Sequence, residues 1–210
     1  MAQRRHAQDL LNFWFGPRPW TRQSVQRRFA LWFGDPKRPE LTPQADEAIR
    51  QRYGALARAA AAGELEAWES SPRRRLALIL LLDQFPRSLY RGTAEAFATD
   101  LEALRLSVSG LQLGADAVLD PVERIFFYMP MQHAESAEIQ AESVAAFRRL
   151  CDEAPDDMQP LFAGVHAYAM QHRDIIAHFG RFPHRNAALG RETTPEEQAW
   201  LDAGGTRFGQ

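Results

Sequence analysis

The chain lacks the features that mark secreted and membrane proteins. Cys151 is the only cysteine among 210 residues, so no disulfide can form within the chain. The longest apolar run, Leu76 to Leu82, is far shorter than a membrane span. The apolar stretch near the N-terminus is interrupted by Asn12 and is too short for the core of a signal peptide. These absences predict a cytoplasmic protein without a membrane partner.

The chain also lacks a large surplus of charge of either sign. Its 25 basic and 27 acidic residues leave a formal net charge of −2, whereas binding to a nucleic-acid backbone requires a basic surface. Nucleic acid is therefore not expected as a partner. Lys37 is the only lysine, and such a skew more often reflects genomic composition than arginine chemistry. The number of arginines by itself is therefore no evidence for a binding function.

Catalytic and cofactor motifs of well-known kinds are absent as well. The sequence contains no G-x-S-x-G nucleophile motif, no G-x-x-x-x-G-K-[ST] phosphate loop and no G-x-G-x-x-G that follows a strand. No cofactor is predicted. A hydrophobic content of 45% with 25% charged residues is ordinary for a globular domain. A chain of this length buries about 70% of its unfolded surface without a metal or disulfide, which predicts one domain over residues 1–210.

Helical signals dominate and strand alternation is nearly absent. Ser24 to Phe33 is predicted as one helix closed by Gly34-Asp35-Pro36, and Thr42-Pro43 is predicted to open an alanine-rich helix that Gly63 ends. The segment from Pro72 to Phe85 is apolar on every side over much of its length, as in a helix surrounded by other helices. About nine or ten helices in antiparallel pairs, an all-α domain, are expected.

Two capping boxes predict helix starts in the second half of the chain. Asp120 with Glu123 opens a helix that Pro130 is predicted to break, and Thr194 with Glu197 opens the last helix. Residues 204–210, which begin with two glycines, are predicted to be a mobile tail.

Two segments share a phenylalanine, a proline and nearby cationic side chains just past a predicted helix end, and they are the main candidates for a site. The first Phe-Pro segment is Asp83 to Arg87, and the second is Phe179 to Asn186. We predict that the two segments meet and bind a small anionic molecule, because forked guanidinium groups suit phosphate and carboxylate. The predicted ligand-binding residues are Asp83, Gln84, Arg87, Arg181, His184, Arg185 and Asn186. The alternative is that Asp83 pairs with an arginine and the segments form only a structural lock.

Histidines provide the candidates for proton transfer. The predicted helix from Pro160 to Phe179 has one apolar stripe, and His172 falls on it. The other members of the stripe are Leu161, Val165, Tyr168, Ile176 and Phe179. His133, Glu135 and His172 would supply proton transfer if the protein is an enzyme. Alternatively, His172 is a core histidine bonded to a carbonyl and Glu135 is an ordinary residue at a helix start.

The motifs closely resemble those of the bacterial family known as domain of unknown function 924. The resemblance rests on the sequence from Leu76 to Thr93, on the His133-Ala134-Glu135 turn and on the segment from His172 to Arg191. It implies a single all-α domain of the tetratricopeptide-like superhelical class. It brings no activity with it.

Three functions therefore compete. The leading prediction is a small-anion site in which arginines and histidines of the two Phe-Pro segments line a pocket. A second is a tetratricopeptide-like module that binds a protein partner through aromatic residues, namely Phe13, Trp14, Trp20, Trp32 and Phe33. A third is a metal-dependent enzyme that uses His133, Glu135 and His172, although their spacing matches no metal motif. The oligomeric state is left open.

Overall fold

The computed structural model describes residues 2–35 and 37–208, and these residues form helices without a β-strand. Pro36, which belongs to the predicted stop after Phe33, and Gly209 and Gln210 of the predicted tail lie outside the described residues. The α-helices are α1 Ala2–Phe15, α2 Arg22–Gln26, α3 Phe29–Phe33, α4 Leu41–Ala61, α5 Pro72–Ile79, α6 Phe85–Leu89, α7 Asp100–Gln112, α8 Pro121–Gln132, α9 Ala137–Asp152, α10 Gln159–Phe179 and α11 Pro195–Asp202. A π-turn covers Leu80–Gln84, and short 3-10 helices cover Glu66–Ser70, Ala94–Phe97, Asp156–Met158 and Pro183–Arg185.

The prediction of an all-α fold is confirmed. Helix α9 packs against both α8 and α10, α7 packs against α8 and α5, and α1 packs against α5. Residues 75–86 are buried without interruption, so the segment predicted as the centre of the fold lies within the core. The antiparallel arrangement of the helix pairs stays a prediction. No helix in the described part of the chain is long and apolar enough to span a membrane.

The first Phe-Pro segment lies within a continuous helical rod, so its predicted position beyond a helix end is wrong. Helix α5, the π-turn and α6 follow one another without a break, and Pro86 stands in the first turn of α6. Proline lacks an N–H and crowds the carbonyl four residues earlier, here that of Leu82. The π-turn frees this carbonyl, and it accepts a 2.6 Å hydrogen bond from the Thr99 hydroxyl. Proline is therefore accommodated within the helix, because the π-turn frees the Leu82 carbonyl and the Thr99 side chain supplies its hydrogen bond.

Three other helix boundaries differ from prediction. Pro130 lies inside α8 rather than ending it, and the Ser107 hydroxyl donates to the Phe127 carbonyl in the same turn, at 2.6 Å. The stretch predicted as one helix over 24–33 is divided into α2 and α3. Helix α4 is capped by Glu40 rather than Thr42. Tertiary bonds and local turns thus override proline and capping signals in these places.

Other predicted boundaries are confirmed. Capping boxes form at Asp120 with Glu123 and at Thr194 with Glu197. Gly63 follows α4 with a φ of +77°, a conformation that glycine adopts without steric cost.

Two of the five aromatic residues proposed as a partner surface lie in the core. Trp14 and Trp32 are 2% and 8% exposed, and both pack against Phe126 of α8. Phe33 is exposed, but Phe13 and Trp20 are partly buried against the core. The described residues therefore present no continuous surface formed by these five side chains.

A small second core lies beside the main one. Ile175, Ile176 and Phe182 form its buried centre, with Phe179, Trp200 and Phe208 packed around it. His172 of α10 is buried, as the apolar stripe predicts, whereas Tyr168 of the same stripe is 55% exposed. Gly180 ends α10 with a φ of +71°, so the second Phe-Pro segment does leave a helix end, as predicted.

Candidate functional site

The site begins with a buried carboxylate beside a histidine. Asp83 stands in the π-turn with no exposed surface, and its Oδ1 lies 2.6 Å from Nδ1 of His133, the residue that caps the end of α8. Gln84 donates to the other carboxylate oxygen. Burial would raise the pKa of Asp83, but the charge of Arg87 and the hydrogen bonds from His133 and Gln84 outweigh burial and lower that pKa. Asp83 is therefore an ionised group that accepts hydrogen bonds.

The charge on Asp83 decides which nitrogen of His133 carries the proton. An ionised carboxylate can only accept, so Nδ1 of His133 must donate to it. Burial and the nearby Arg87 guanidinium lower the pKa of His133, and the ring is therefore neutral with an unprotonated Nε2. Nε2 forms no hydrogen bond within the described part of the chain. This is the arrangement of a histidine base oriented by an aspartate.

The two Phe-Pro segments converge on Asp100, the first residue of α7. Arg87 of the first segment binds both oxygens of Asp100 at 3.0 Å, and Nη1 of Arg185 from the second segment lies 3.3 Å from Oδ2 of the same carboxylate. Arg87 also contacts Asp83, with Nη1 3.4 Å from Oδ1 and closer to the main-chain carbonyl. Residues about a hundred positions apart thus meet around one buried and one partly buried aspartate.

Arg185 has unused hydrogen-bonding capacity. Its side chain is 8% exposed, and its Nε is buried without a partner. Nη2 forms no hydrogen bond within the described residues, so Asp100 is the only carboxylate that this guanidinium meets there. Nε and Nη2 form one edge of the guanidinium, whose two donors match the two oxygens of an oxyanion. Burial and the nearby Arg87 lower the pKa of Arg185 to about 10, which keeps it charged at neutral pH.

Two further histidines, His172 and His184, lie near Arg185 and His133, and both are neutral. Nδ1 of His172 lies 2.8 Å from the Tyr168 carbonyl, so this nitrogen donates and Nε2 is unprotonated. Burial lowers the pKa of His172 to about 3. Nδ1 of His184 is buried without a partner, and burial with the adjacent Arg185 lowers the pKa of His184 to about 3. The rings of His133 and His172 are 6.1 Å apart.

We call this group the histidine–arginine cluster. Its members are Asp83, Arg87, Asp100, His133, His172, His184 and Arg185.

Phe208 covers part of the histidine–arginine cluster. Its ring is stacked on His172 with centroids 3.8 Å apart and planes 21° apart, and it lies 5.5 Å from the His184 ring. Phe208 has a φ of +49°, which is strained for a side chain of this size. The expectation that residues 204–210 are mobile stays a prediction.

Other predicted site residues belong to a neighbouring network of ion pairs. Glu135 binds Arg191 through two contacts of 2.7 and 3.0 Å and accepts from the Phe182 amide at 2.7 Å. Burial would raise the pKa of Glu135, but these hydrogen bonds lower it. Its carboxylate therefore holds the second Phe-Pro segment in place rather than facing a base or substrate.

Arg181 and Asn186 are engaged in the same way. Arg181 forms a two-point contact with Glu197 at 2.6 and 2.8 Å. The Asn186 amide donates to Glu197 at 3.1 Å, and its oxygen accepts from Arg191. The hydrogen bond from Arg181 lowers the pKa of Glu197 to about 2. Of the three arginines predicted to hold an anion, Arg185 alone keeps a two-donor edge without a carboxylate in the described structure.

The arrangement does not supply a metal site. Within residues 2–35 and 37–208, no group of three or more His, Cys, Asp and Glu side chains is placed to hold a metal ion. Glu135, the carboxylate of the metal-enzyme interpretation, is bound to Arg191.

Two surface clefts lie away from the cluster. One of about 430 Å³ is lined by residues of α1 and α5, including Gln8 and Arg73. Another of about 640 Å³ is lined by residues that include Glu69 and Leu113. At the cluster, Arg87 and His133 keep 11% and 13% of their side-chain surface exposed. The cluster is therefore nearly closed to solvent, and the Phe208 ring lies over one of its histidines, His172.

Sequence reasoning missed Asp100, Arg191 and Phe208. Asp100 resembles any acidic residue in the first turn of a helix, and its role depends on two arginines brought from elsewhere in the chain. Phe208 follows two glycines near the end of the described chain and belongs to no recognisable sequence motif.

The comparisons with known proteins agree on a family. A family model described as a bacterial protein of unknown function, DUF924, matches residues 10–205. The solved structure of the protein of unknown function ATU0120 from Agrobacterium tumefaciens is similar, with a TM-score of 0.72 and 37% identity. The match covers 96% of this chain and 99% of that chain. No curated protein matches the chain.

Proposed function

The chain belongs to the DUF924 family of bacterial proteins, and we propose that its histidine–arginine cluster binds a small anionic molecule. One observation carries the proposal: the buried Nε of Arg185 has no partner. A buried donor without a partner costs about 1–3 kcal/mol, and such groups in native proteins are uncommon. An oxyanion on the edge formed by Nε and Nη2 would remove that cost.

The surroundings of Arg185 support the same role. Its guanidinium lies over the rings of both Phe97 and Phe182, at 4.7 and 4.6 Å from their centroids, and these contacts restrict its orientation. Asp100 holds Nη1 at 3.3 Å. The remaining edge is therefore held in a fixed orientation before a ligand arrives, which lowers the entropy lost on binding.

His133 is the group that would accept a proton from the bound molecule. Its Nε2 is unprotonated, and Asp83 fixes the ring. Glu135 is occupied by Arg191, and Nδ1 of His172 donates to a carbonyl rather than to a carboxylate. Anion binding is thus proposed for Arg185 and proton acceptance for His133, with Asp83 as its positioning residue.

The binding proposal is tested by titration with anions of known structure. Acetate and inorganic phosphate are added to the protein in calorimetry and in thermal unfolding, beside Arg185→Gln and the control Arg148→Gln. Arg148 is 65% exposed and pairs only with Asp152 in the described residues. We expect saturable binding of at least one anion to the wild type and the control, and none to Arg185→Gln. Equal behaviour of all three proteins would refute the proposal.

Proton acceptance is tested separately. Carboxylic acids that bind are incubated with the protein in D2O, and loss of the C–H signal next to the carboxylate is followed by proton NMR. We expect exchange with the wild type and its loss in His133→Gln, while binding of the acid persists. Exchange that is unchanged in His133→Gln, or absent for every acid that binds the wild type, would contradict the assignment.

A further inference from the structure

We propose that the natural ligand of the cluster is a monocarboxylate with an apolar body about the size of an aromatic ring, rather than a phosphate monoester or a dicarboxylate. This inference rests on the proposed function and names the chemical class of the molecule. Charge balance, the geometry of the Arg185 edge and the aromatic surroundings support it independently.

The charge balance favours an anion with one negative charge. Two arginines, Arg87 and Arg185, face two aspartates, Asp83 and Asp100, across contacts of 3.0 to 3.4 Å. The three histidines are neutral because burial and neighbouring cations lower their pKa values. The cluster without ligand is therefore close to neutral.

Because the cluster is close to neutral, each negative charge of a ligand is only partly compensated there, and a second charge adds to the cost. In two neighbouring ion pairs, Glu135 with Arg191 and Arg181 with Glu197, the arginine already faces a carboxylate. A dianion would also lie next to Asp100, which already holds Nη1 of Arg185. Bringing an uncompensated charge into a buried site is costly, so a monoanion is preferred.

The edge of Arg185 suits two coplanar oxygens. Nε and Nη2 are parallel donors, and a carboxylate offers two acceptors in the same plane. Nη1 already donates to Asp100, and Nε2 of both His133 and His172 is unprotonated. A tetrahedral phosphate presents only two of its oxygens to the edge formed by Nε and Nη2, so its remaining oxygens gain nothing from this pair of donors.

The walls around this edge are aromatic. Phe97 and Phe182 flank the guanidinium, and Phe208 is stacked on His172 while lying 6.4 Å from Phe182. In the free protein Phe208 stacks on His172. A ligand with an apolar body would displace Phe208 and make this ring contact with His172 itself. Stacking of flat rings at such distances is favourable.

The test compares anions that differ in one property at a time. Affinities for acetate, phenylacetate, malonate, inorganic phosphate and diphenyl phosphate are measured by calorimetry at neutral pH with the full chain. We expect phenylacetate to bind at least about tenfold more tightly than acetate because its ring is buried. We also expect it to bind more tightly than malonate and phosphate. Diphenyl phosphate separates charge from geometry, since it is an apolar monoanion with a tetrahedral head, and we expect it to bind more weakly than phenylacetate.

Two variants keep the test decisive. Arg185→Lys retains the charge without the two-donor edge, and we expect it to lose at least about tenfold in phenylacetate affinity. Phe97→Leu keeps the edge and removes a ring, and we expect it to reduce the difference between phenylacetate and acetate. Thermal unfolding verifies that both variants fold.

The possible results separate the two proposals. Tighter binding of phosphate or malonate than of phenylacetate would overturn the monocarboxylate inference and leave anion binding intact. Equal affinity for acetate and phenylacetate would overturn the apolar body. Absence of binding by all five anions would refute the proposed function itself.

Discussion

Replacement of Arg185 by methionine should separate a ligand site from a structural lock. Methionine fills a similar volume between Phe97 and Phe182 and removes the charge and the unpartnered Nε. If Arg185 exists to bind a ligand, it lowers stability in the absence of that ligand, as many functional residues do. We expect Arg185→Met to leave the free energy of unfolding unchanged or to raise it by up to about 2 kcal/mol.

The magnitude follows from the contacts of Arg185. Removing the buried donor gains about 1–3 kcal/mol. Losing the 3.3 Å contact with Asp100 costs about 1 kcal/mol, because that carboxylate remains bound to Arg87 through both oxygens. The two cation–π contacts are worth about 0.5–1 kcal/mol each, and sulfur–aromatic contacts of methionine replace much of that.

Arg87→Met is the matched comparison. Arg87 is buried to a similar degree, but it holds both Asp83 and Asp100, so its loss leaves the buried Asp83 and the partly buried Asp100 poorly compensated. We expect Arg87→Met to lower the free energy of unfolding by about 3–5 kcal/mol. Both variants and the wild type are unfolded with urea in a buffer free of carboxylate and phosphate. A loss in Arg185→Met comparable to that in Arg87→Met would show that Arg185 is structural and would refute the reasoning.

Three further predictions concern the neighbouring residues. Stability should fall as the pH drops from about 6.5 toward 3, because His172, with a folded-state pKa of about 3, stays neutral there while the unfolded chain takes up a proton. The slope is at most about 1.4 kcal/mol per pH unit for this residue, and chemical unfolding of His172→Gln at several pH values should show a smaller slope. Asp83→Asn should cost about 3 kcal/mol, and nitrogen-15 NMR should show a mixture of His133 tautomers in place of the Nδ1–H form; an unchanged tautomer would contradict the assignment. Glu135→Gln should weaken the Arg191 contact by about 1 kcal/mol without changing anion affinity. A large loss of anion affinity in calorimetry would show instead that Glu135 contributes to the binding site.

Sequence patterns with local causes predicted the fold well. The capping boxes at Asp120 and Thr194 and the buried stripe position of His172 depend on residues close in sequence, and all three are confirmed. The Pro86 boundary failed because the Leu82 carbonyl, which the missing N–H of proline leaves free, accepts a hydrogen bond from Thr99, a side chain distant in sequence. Pro130 lies inside α8, where Ser107, also distant in sequence, donates to the Phe127 carbonyl.

The candidate site was predictable in part. The two Phe-Pro segments signalled where arginines would gather, and Arg87 and Arg185 do meet. Which arginine keeps a free edge was not predictable, because it depends on where Asp100 and Glu197 lie in the folded chain. Charge pairing across distant elements leaves no periodic signal in a sequence, whereas apolar periodicity does.

The Nε–H resonance of Arg185 in a proton–nitrogen NMR spectrum tests the central claim most directly. In the free protein this buried N–H has no acceptor, so its proton resonance should lie upfield of hydrogen-bonded arginine Nε–H signals. Addition of phenylacetate should shift it downfield in a saturable manner, with no comparable shift for Arg181, which is bound to Glu197. A resonance that is already downfield in the free protein and does not respond to any anion would contradict the account.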